Sequence, residues 1–217
     1  SYYNKGGLIA LALDLIIQAK TDGQKSLDTV LLHLWQHYGQ TATGLEDGDI
    51  ERLCSQVSGV DLSHFFETAL YGTEDLDFES LFEPFGIQFS LRAATELKDL
   101  GGQTPLKNSP PSLGVNCQTT ENQTLLLTHV WQAQSAAQAG LAAGDEIIAL
   151  DGLKVKTLEG FEKQLSRYQP GDTLSCAFFR RDELMQTDIL LQPPVKDRVV
   201  LSDLDAAHRS FLPWPAK

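Results

Sequence analysis

Near residue 100 the spacing of apolar side chains changes, and that change limits what this chain can fold into. Before it, Leu8, Leu11 and Leu15, with Ala12, Ile16 and Ala19, recur at three- and four-residue intervals. This predicts a helix from about Gly6 to Ala19, apolar on most faces and therefore buried on several sides. Ser26 suits the N-cap of a second helix carrying Val30, Leu31, Leu34, Trp35 and Tyr38, which Gly39 stops. Asp47 or Gly48 opens a third helix with Ile50, Leu53, Cys54 and Val57 on one face. Asp61 caps a fourth with Phe65, Phe66, Ala69 and Leu70, and a fifth runs from about Asp77 to Pro84. Gly86 to Arg92 alternates apolar and polar residues, as a half-buried strand does. After residue 100 the period is two: Val115–Cys117, Thr124–Val130, Glu146–Leu150, Thr173–Phe179 and Leu184–Leu191 read as strands. Asp151-Gly152 is a hairpin-type turn, and Arg180-Arg181 is placed in another. Helices are expected only around Ala136–Ala139 and from Leu158 to Tyr168, where Phe161 and Leu165 face inward.

These patterns predict an α+β, multidomain chain. A helical subdomain spans residues 1–98, and 99–111 form a linker. A small, partly open β-barrel with two helices spans 112–194, and 195–217 are a tail. The linker reading rests on Asp99-Leu-Gly-Gly-Gln-Thr-Pro-Leu-Lys-Asn-Ser-Pro-Pro111, with its paired glycines and paired prolines. In the tail, Asp203 to Arg209 are read as one helix that docks back through Phe211 and Trp214.

Charge excludes several partners. The net charge is −12, of which residues 1–100 carry −10 and residues 101–217 carry −2. Nucleic acid and anionic membrane surfaces repel such a chain. The longest apolar stretch, Leu8 to Ile17, is broken by Asp14 and is too short to span a bilayer. Cys54, Cys117 and Cys176 are far apart and read as small buried hydrophobes, so the compartment stays open. The chain starts Ser-Tyr-Tyr-Asn-Lys without an initiator methionine, which reads as an excised piece of a longer protein.

The sharpest local signature is Ser135-Ala-Ala-Gln-Ala-Gly-Leu-Ala-Ala-Gly-Asp-Glu-Ile-Ile-Ala-Leu-Asp-Gly152. It resembles the core of a PDZ domain of the bacterial, protease-associated branch. In that family a helix of small residues leads to Ala-Gly-Leu, then to Gly-Asp-x-Ile and a strand ending in Asp-Gly. The resemblance implies a groove that takes an extended peptide by β-augmentation. It places Ser112-Leu113-Gly114-Val115 at the loop that holds the peptide carboxylate. The N–H groups of Leu113, Gly114 and Val115 would form the anion nest. Phe161 and Leu165 would line the opposite wall or the core behind it.

The N-terminal Ser1-Tyr2-Tyr3-Asn4-Lys5-Gly6-Gly7 resembles the Tyr-x-Lys-Gly segment of gluzincin aminopeptidases. The likeness is closer to the glycyl aminopeptidase family of zinc metallopeptidases. It continues through Val60–Phe66, Gly72–Asp77 and Pro84–Ile87, and that family also follows its catalytic domain with a PDZ domain. The resemblance implies that this chain is the C-terminal part of such a peptidase, acting on peptide or protein substrates. Tyr3 would donate a hydrogen bond to the oxyanion of the tetrahedral intermediate.

The family's zinc motif, His-Glu-x-x-His with a downstream glutamate, does not occur in the sequence. His33-Leu-Trp-Gln-His37 has zinc-ligand spacing, but leucine stands where the general base should be. It reads as the polar face of a helix. His64, His129 and His208 are isolated, and the acidic run Glu46 to Glu51 reads as a solvated helix N-terminus. The expectation is therefore zinc in the parent protein, no metal bound by this chain, and no peptidase activity from the chain alone. The alternative is a non-catalytic, PDZ-bearing interaction protein.

Overall fold

The structure, a computed structural model, describes residues 2–41, 43–103 and 111–204. The chain divides into two compact units. One holds the chain up to Ser90 and again from Leu201; the other is Leu91–Val200. The second unit begins inside the first strand, earlier than the glycine- and proline-rich segment marks it. Most of that segment, residues 104–110, lies outside the described residues.

The first unit is built from helices α1 (Tyr2–Lys20), α2 (Leu27–Leu34), α3 (Asp49–Ser58), α4 (Ser63–Phe66) and α5 (Phe78–Phe82). Its core is Leu13, Ile17, Val30, Cys54, Leu62 and Phe66. Asp14, the residue that interrupts the apolar run, has a structural task. Its Oδ1 accepts the N–H of Leu27 at 2.8 Å, satisfying a first-turn donor that α2 cannot satisfy internally. Ser26 is the N-cap of α2, with its own N–H donating to Thr29 Oγ1 at 3.2 Å.

Three expectations are corrected here. Helix α1 starts at Tyr2 rather than Gly6, and it is buried mainly on one side, leaving Leu8 and Leu11 exposed. The second helix is not α-helical to Tyr38, because Trp35–Gly39 is a π-helical turn. The fourth behaves the same way, with a π-turn at Glu67–Tyr71 before Gly72. The capping position of α4 is Leu62, although Asp61 Oδ1 still accepts the Ser63 N–H at 3.0 Å.

Strand β1 (Ile87–Ala93) follows the helices, then β2 (Val115–Thr119), β3 (Leu125–Val130), β4 (Glu146–Leu150), β5 (Leu153–Lys154), β6 (Thr173–Arg180), β7 (Glu183–Leu190) and β8 (Lys196–Asp203). The larger sheet is open, in the order β2-β3-β4-β6-β7, with β5 paired to β4. Strand β2 therefore lies at its edge. Helices α6 (Ser135–Gln138) and α7 (Leu158–Leu165) complete the second unit.

Strand β8 occupies part of the segment read as a tail, and it pairs with β1. The helix expected from Asp203 onward lies almost wholly outside the described residues, and Asp203 itself is in the strand. The β6–β7 turn is Arg181-Asp182, both at positive φ, so Arg180 is a strand residue rather than a turn residue.

The core of the second unit includes Leu113, Leu125, Ile147, Leu150, Phe161, Leu174, Cys176 and Ile189. Phe161 is fully buried; removing such a ring costs about 3–5 kcal/mol.

Candidate functional site

A cavity of about 1180 Å³ is lined within the second unit by the loop before β2, one face of α7, and the segment after β1. Ser112, Leu113, Gly114, Val115, Phe161 and Leu165 all line it, so the structure brings the six expected groove residues together.

The turn and helix motifs explain why these walls stand where they do. Asp151 of the Asp-Gly turn accepts the Ser175 N–H at 2.6 Å and the Tyr168 hydroxyl at 2.5 Å. One carboxylate thus ties the turn to β6 and to the chain leaving α7, fixing the helix against the sheet. Thr157 caps α7, its Oγ1 accepting the Gly160 N–H at 3.1 Å. Asp145 of the Gly-Asp pair is buried and takes Arg180 through Nε and Nη2, both at 2.8 Å. Its Oδ2 also accepts the Ala142 N–H at 2.8 Å, closing the turn into β4.

The loop is braced from behind. Leu113 O accepts the Ala136 N–H at 2.9 Å, and Gly114 O accepts the Trp131 N–H at 2.9 Å. Gly114 has φ +73, a conformation that L side chains rarely adopt. A β-carbon there would meet Gln134 Cβ at 2.4 Å. One member of the expected anion nest is already used. The Gly114 N–H donates to Ser112 Oγ at 3.1 Å, so the serine hydroxyl stands in front of that amide.

Sequence reasoning missed two groove residues. Glu162 of α7 lines the cavity, and its Oε1 accepts the N–H of Leu97 at 2.6 Å. Leu97, which the sequence pattern assigns to the helical subdomain of residues 1–98, packs on the second unit's core. Cys117 on β2, packed against the core, has its thiol pushed up to about 11, by burial first and by the Glu162 charge second. A lone leucine beside charged residues carries no periodic signal, so only the folded structure places it.

Tyr3 lies in the first turn of α1, in the other unit. It is 73% exposed and stacked on Tyr2, ring centroids 4.2 Å apart. His33 and His37 stack at 4.0 Å, and His37 Nδ1 pairs with the His33 carbonyl at 2.9 Å, which engages that nitrogen. Among the described residues no cluster of three or more His, Cys, Asp or Glu could hold a metal ion. No helix among them is long and apolar enough to cross a membrane.

The PDZ-domain family model matches residues 111–191. This segment is a PDZ domain. It takes in the Ser112–Val115 loop, β2 and α7.

The whole chain is similar to a solved aminopeptidase N family protein from Idiomarina loihiensis, with 35% identity and a TM-score of 0.88. That match covers 99% of this chain but 36% of the other, so this chain spans about a third of its relative's length. Beyond the PDZ segment, therefore, the helical unit is shared as well. Two further similar structures are the HtrA-type protease AlgW with decapeptide (21% identity, 40% of this chain and 30% of that one, TM-score 0.37) and the serine endoprotease from Yersinia pestis (19% identity, 38% and 29%, TM-score 0.35). No curated protein matches the chain.

Proposed function

We propose that this chain is the C-terminal part of a zinc-dependent metallo-aminopeptidase, in which the helical unit contributes to the active site and the PDZ domain binds peptide. The observation that carries this reading is the similarity, over 99% of the chain, to part of an aminopeptidase N family protein. The surface of the helical unit is consistent with it. Leu8, Leu11, Leu31, Leu32 and Trp35 are exposed on α1, on α2 and on the turn that follows α2. Such a surface suits packing against the remainder of a larger protein.

Among the described residues no cluster of three or more His, Cys, Asp or Glu could hold a metal ion; under this reading the zinc and its general base lie in the remainder of the parent. What this chain supplies is Tyr3, an exposed phenol at a helix start, able to donate to an oxyanion. A donor aimed at charge that exists only in the transition state accelerates the reaction without tightening substrate binding.

The test is Tyr3→Phe in the parent protein. The expected result is a fall in kcat of about 10²–10³-fold with KM little changed. The melting temperature should hold, because the side chain is exposed. A kcat within about threefold of wild type would remove Tyr3 from the site. Peptidase activity from the purified chain alone would overturn the assignment of the metal and base elsewhere.

A second reading is a non-catalytic interaction protein that recruits C-terminal peptides. It is favoured by the edge position of β2 beside the cavity, which leaves a strand side for a peptide to pair with. Under it, Tyr3→Phe changes nothing in the parent's function.

A further inference from the structure

Residues 94–102, which follow β1, are built as a turn, not as a loose connection. Asp99 accepts from Arg92 through Nη1 at 2.6 Å and Nη2 at 2.9 Å. The same carboxylate accepts the N–H groups of Thr95 and Gly101, each at 2.9 Å, and the Thr95 hydroxyl at 3.0 Å. Arg92 Nε holds the Gly102 carbonyl at 2.9 Å, and Arg198 Nε holds the Asp99 carbonyl at 2.7 Å. The Asp99 N–H closes the turn onto the Glu96 carbonyl at 3.2 Å. A side chain carried by such a turn is presented in one place.

That side chain is Leu97. It packs on the PDZ core, and it lines the same cavity as Leu113, Val115, Phe161 and Leu165. Its N–H reaches across to Glu162 Oε1, on the helix that forms the groove's wall. A backbone N–H donated to a groove carboxylate and an aliphatic side chain seated beside it are contacts an incoming peptide would make. The next leucine, Leu100, is fully exposed, so hydrophobicity alone does not bring this segment down.

We infer that the turn around Leu97 is a tethered occupant of the PDZ groove, with Leu97 as its plug and Glu162 as its latch, and that a peptide is admitted only by displacing it. The inference rests on the reading of the groove as a peptide site. The outer edge of β2 is not paired by this turn, because β2 remains the edge strand of its sheet. The occupant therefore fills the side-chain space and leaves the backbone pairing edge for the peptide. A ligand gains entry by offering β-strand hydrogen bonds that the turn does not make, together with an aliphatic side chain to replace Leu97. Binding is lowered by the fraction of time the turn is closed: a turn closed about nine-tenths of the time weakens apparent affinity about tenfold.

The experiment uses the full chain and a fluorescein-labelled hexapeptide, Gly-Ser-Gly-Ala-Leu-Leu, with a free carboxylate, read by fluorescence anisotropy. Leu97→Ser removes the plug, Glu162→Ala removes the latch, and Leu100→Ser is the control. The expected result is binding at least about tenfold tighter for Leu97→Ser and tighter for Glu162→Ala, with Leu100→Ser unchanged. Amide exchange should quicken at residue 97 in Glu162→Ala while β4 and β6 keep their protection. If wild type and both variants bind the peptide equally, the plug is wrong and the peptide groove stands. If Leu97→Ser loses stability and gains no affinity, Leu97 is only a piece of core. If no protein binds the peptide, the gate and the groove reading fall together.

Discussion

Gly114→Ala offers a test of the groove loop in which two costs can be separated. The first cost is conformational. At φ +73 the backbone is left-handed, and an alanine there loses about 1–2 kcal/mol relative to a relaxed backbone. The second is steric. The new β-carbon would sit 2.3 Å from Gln134 Oε1, 2.7 Å from Cδ and 2.4 Å from Cβ. The oxygen can swing away, but the Cβ of Gln134 is fixed to the backbone at the N-cap of α6. Overpacking against a fixed atom costs about 1–3 kcal/mol, so the sum is about 2–5 kcal/mol. The same geometry says which second change relieves it. Gln134→Ala keeps the Cβ and should rescue little. Gln134→Gly removes it and should recover the steric part, leaving the conformational part in place. Equilibrium urea unfolding followed by circular dichroism, with amide exchange reporting on β2 and β3, gives the four corners of the cycle. The reasoning fails if Gly114→Ala costs less than about 0.5 kcal/mol, or if Gln134→Ala rescues as well as Gln134→Gly.

Two further outcomes follow from the ion pairs. Asp145 is 2% exposed in its side chain, whereas Arg180 is 35% exposed, so removing one partner is not equivalent to removing the other. Arg180→Met strands a buried carboxylate and should cost about 3–5 kcal/mol, while Asp145→Asn frees a guanidinium that reaches water and should cost less; urea unfolding that reversed this order would refute the argument. Asp99 is held well below the usual carboxylate range, first by the Arg92 guanidinium and then by the Thr95 and Gly101 amides. A carboxyl depressed in the folded state adds stability that is complete above its unfolded value of about 4 and is lost as the pH falls below it. Asp99→Asn should therefore flatten the loss of stability between about pH 4 and pH 2, and an unchanged slope in a urea titration across that range would show that this carboxyl is not responsible.

How much of this was legible in the sequence depends on whether the signal was local. Strand β6 alternates buried and more open residues along its length, and the Asp-Gly turn between β4 and β5 has both residues at positive φ, as that dipeptide favours. The six residues that the motif order assigns to the groove line one cavity. Strand β8 could not be read in the same way. Lys-Asp-Arg-Val-Val-Leu-Ser-Asp has little apolar alternation, and its partner β1 lies about a hundred residues earlier, beyond the reach of any local period. The π-turns after α2 and α4 were missed for a related reason, since an apolar spacing of three and four does not distinguish an α-turn from the wider one that ends it.

Leu97 and Glu162 mark the limit more sharply, because their pairing joins a residue ahead of the PDZ domain to one on its helix, 65 positions later. The paired glycines and prolines after Asp99 suggest a spacer, and a spacer is expected to make few contacts. Yet Asp99 spends its carboxylate on four donors from Arg92, Thr95 and Gly101, apart from the second arginine nitrogen, and so turns the start of the segment into a rigid piece. Glycine is useful at such a place because Gly101, at φ +99, lets the chain leave the turn in a direction a side chain would oppose. The same residues that look like a linker in sequence are those that hold Leu97 against the groove. Charge is what distinguishes the two cases: an arginine seven residues before the aspartate that leads into Gly101-Gly102 is a local hint that the segment folds back. If that hint is physical, Arg92→Met should free Leu97 as surely as removing Glu162 does, although Arg92 makes no contact with the PDZ core.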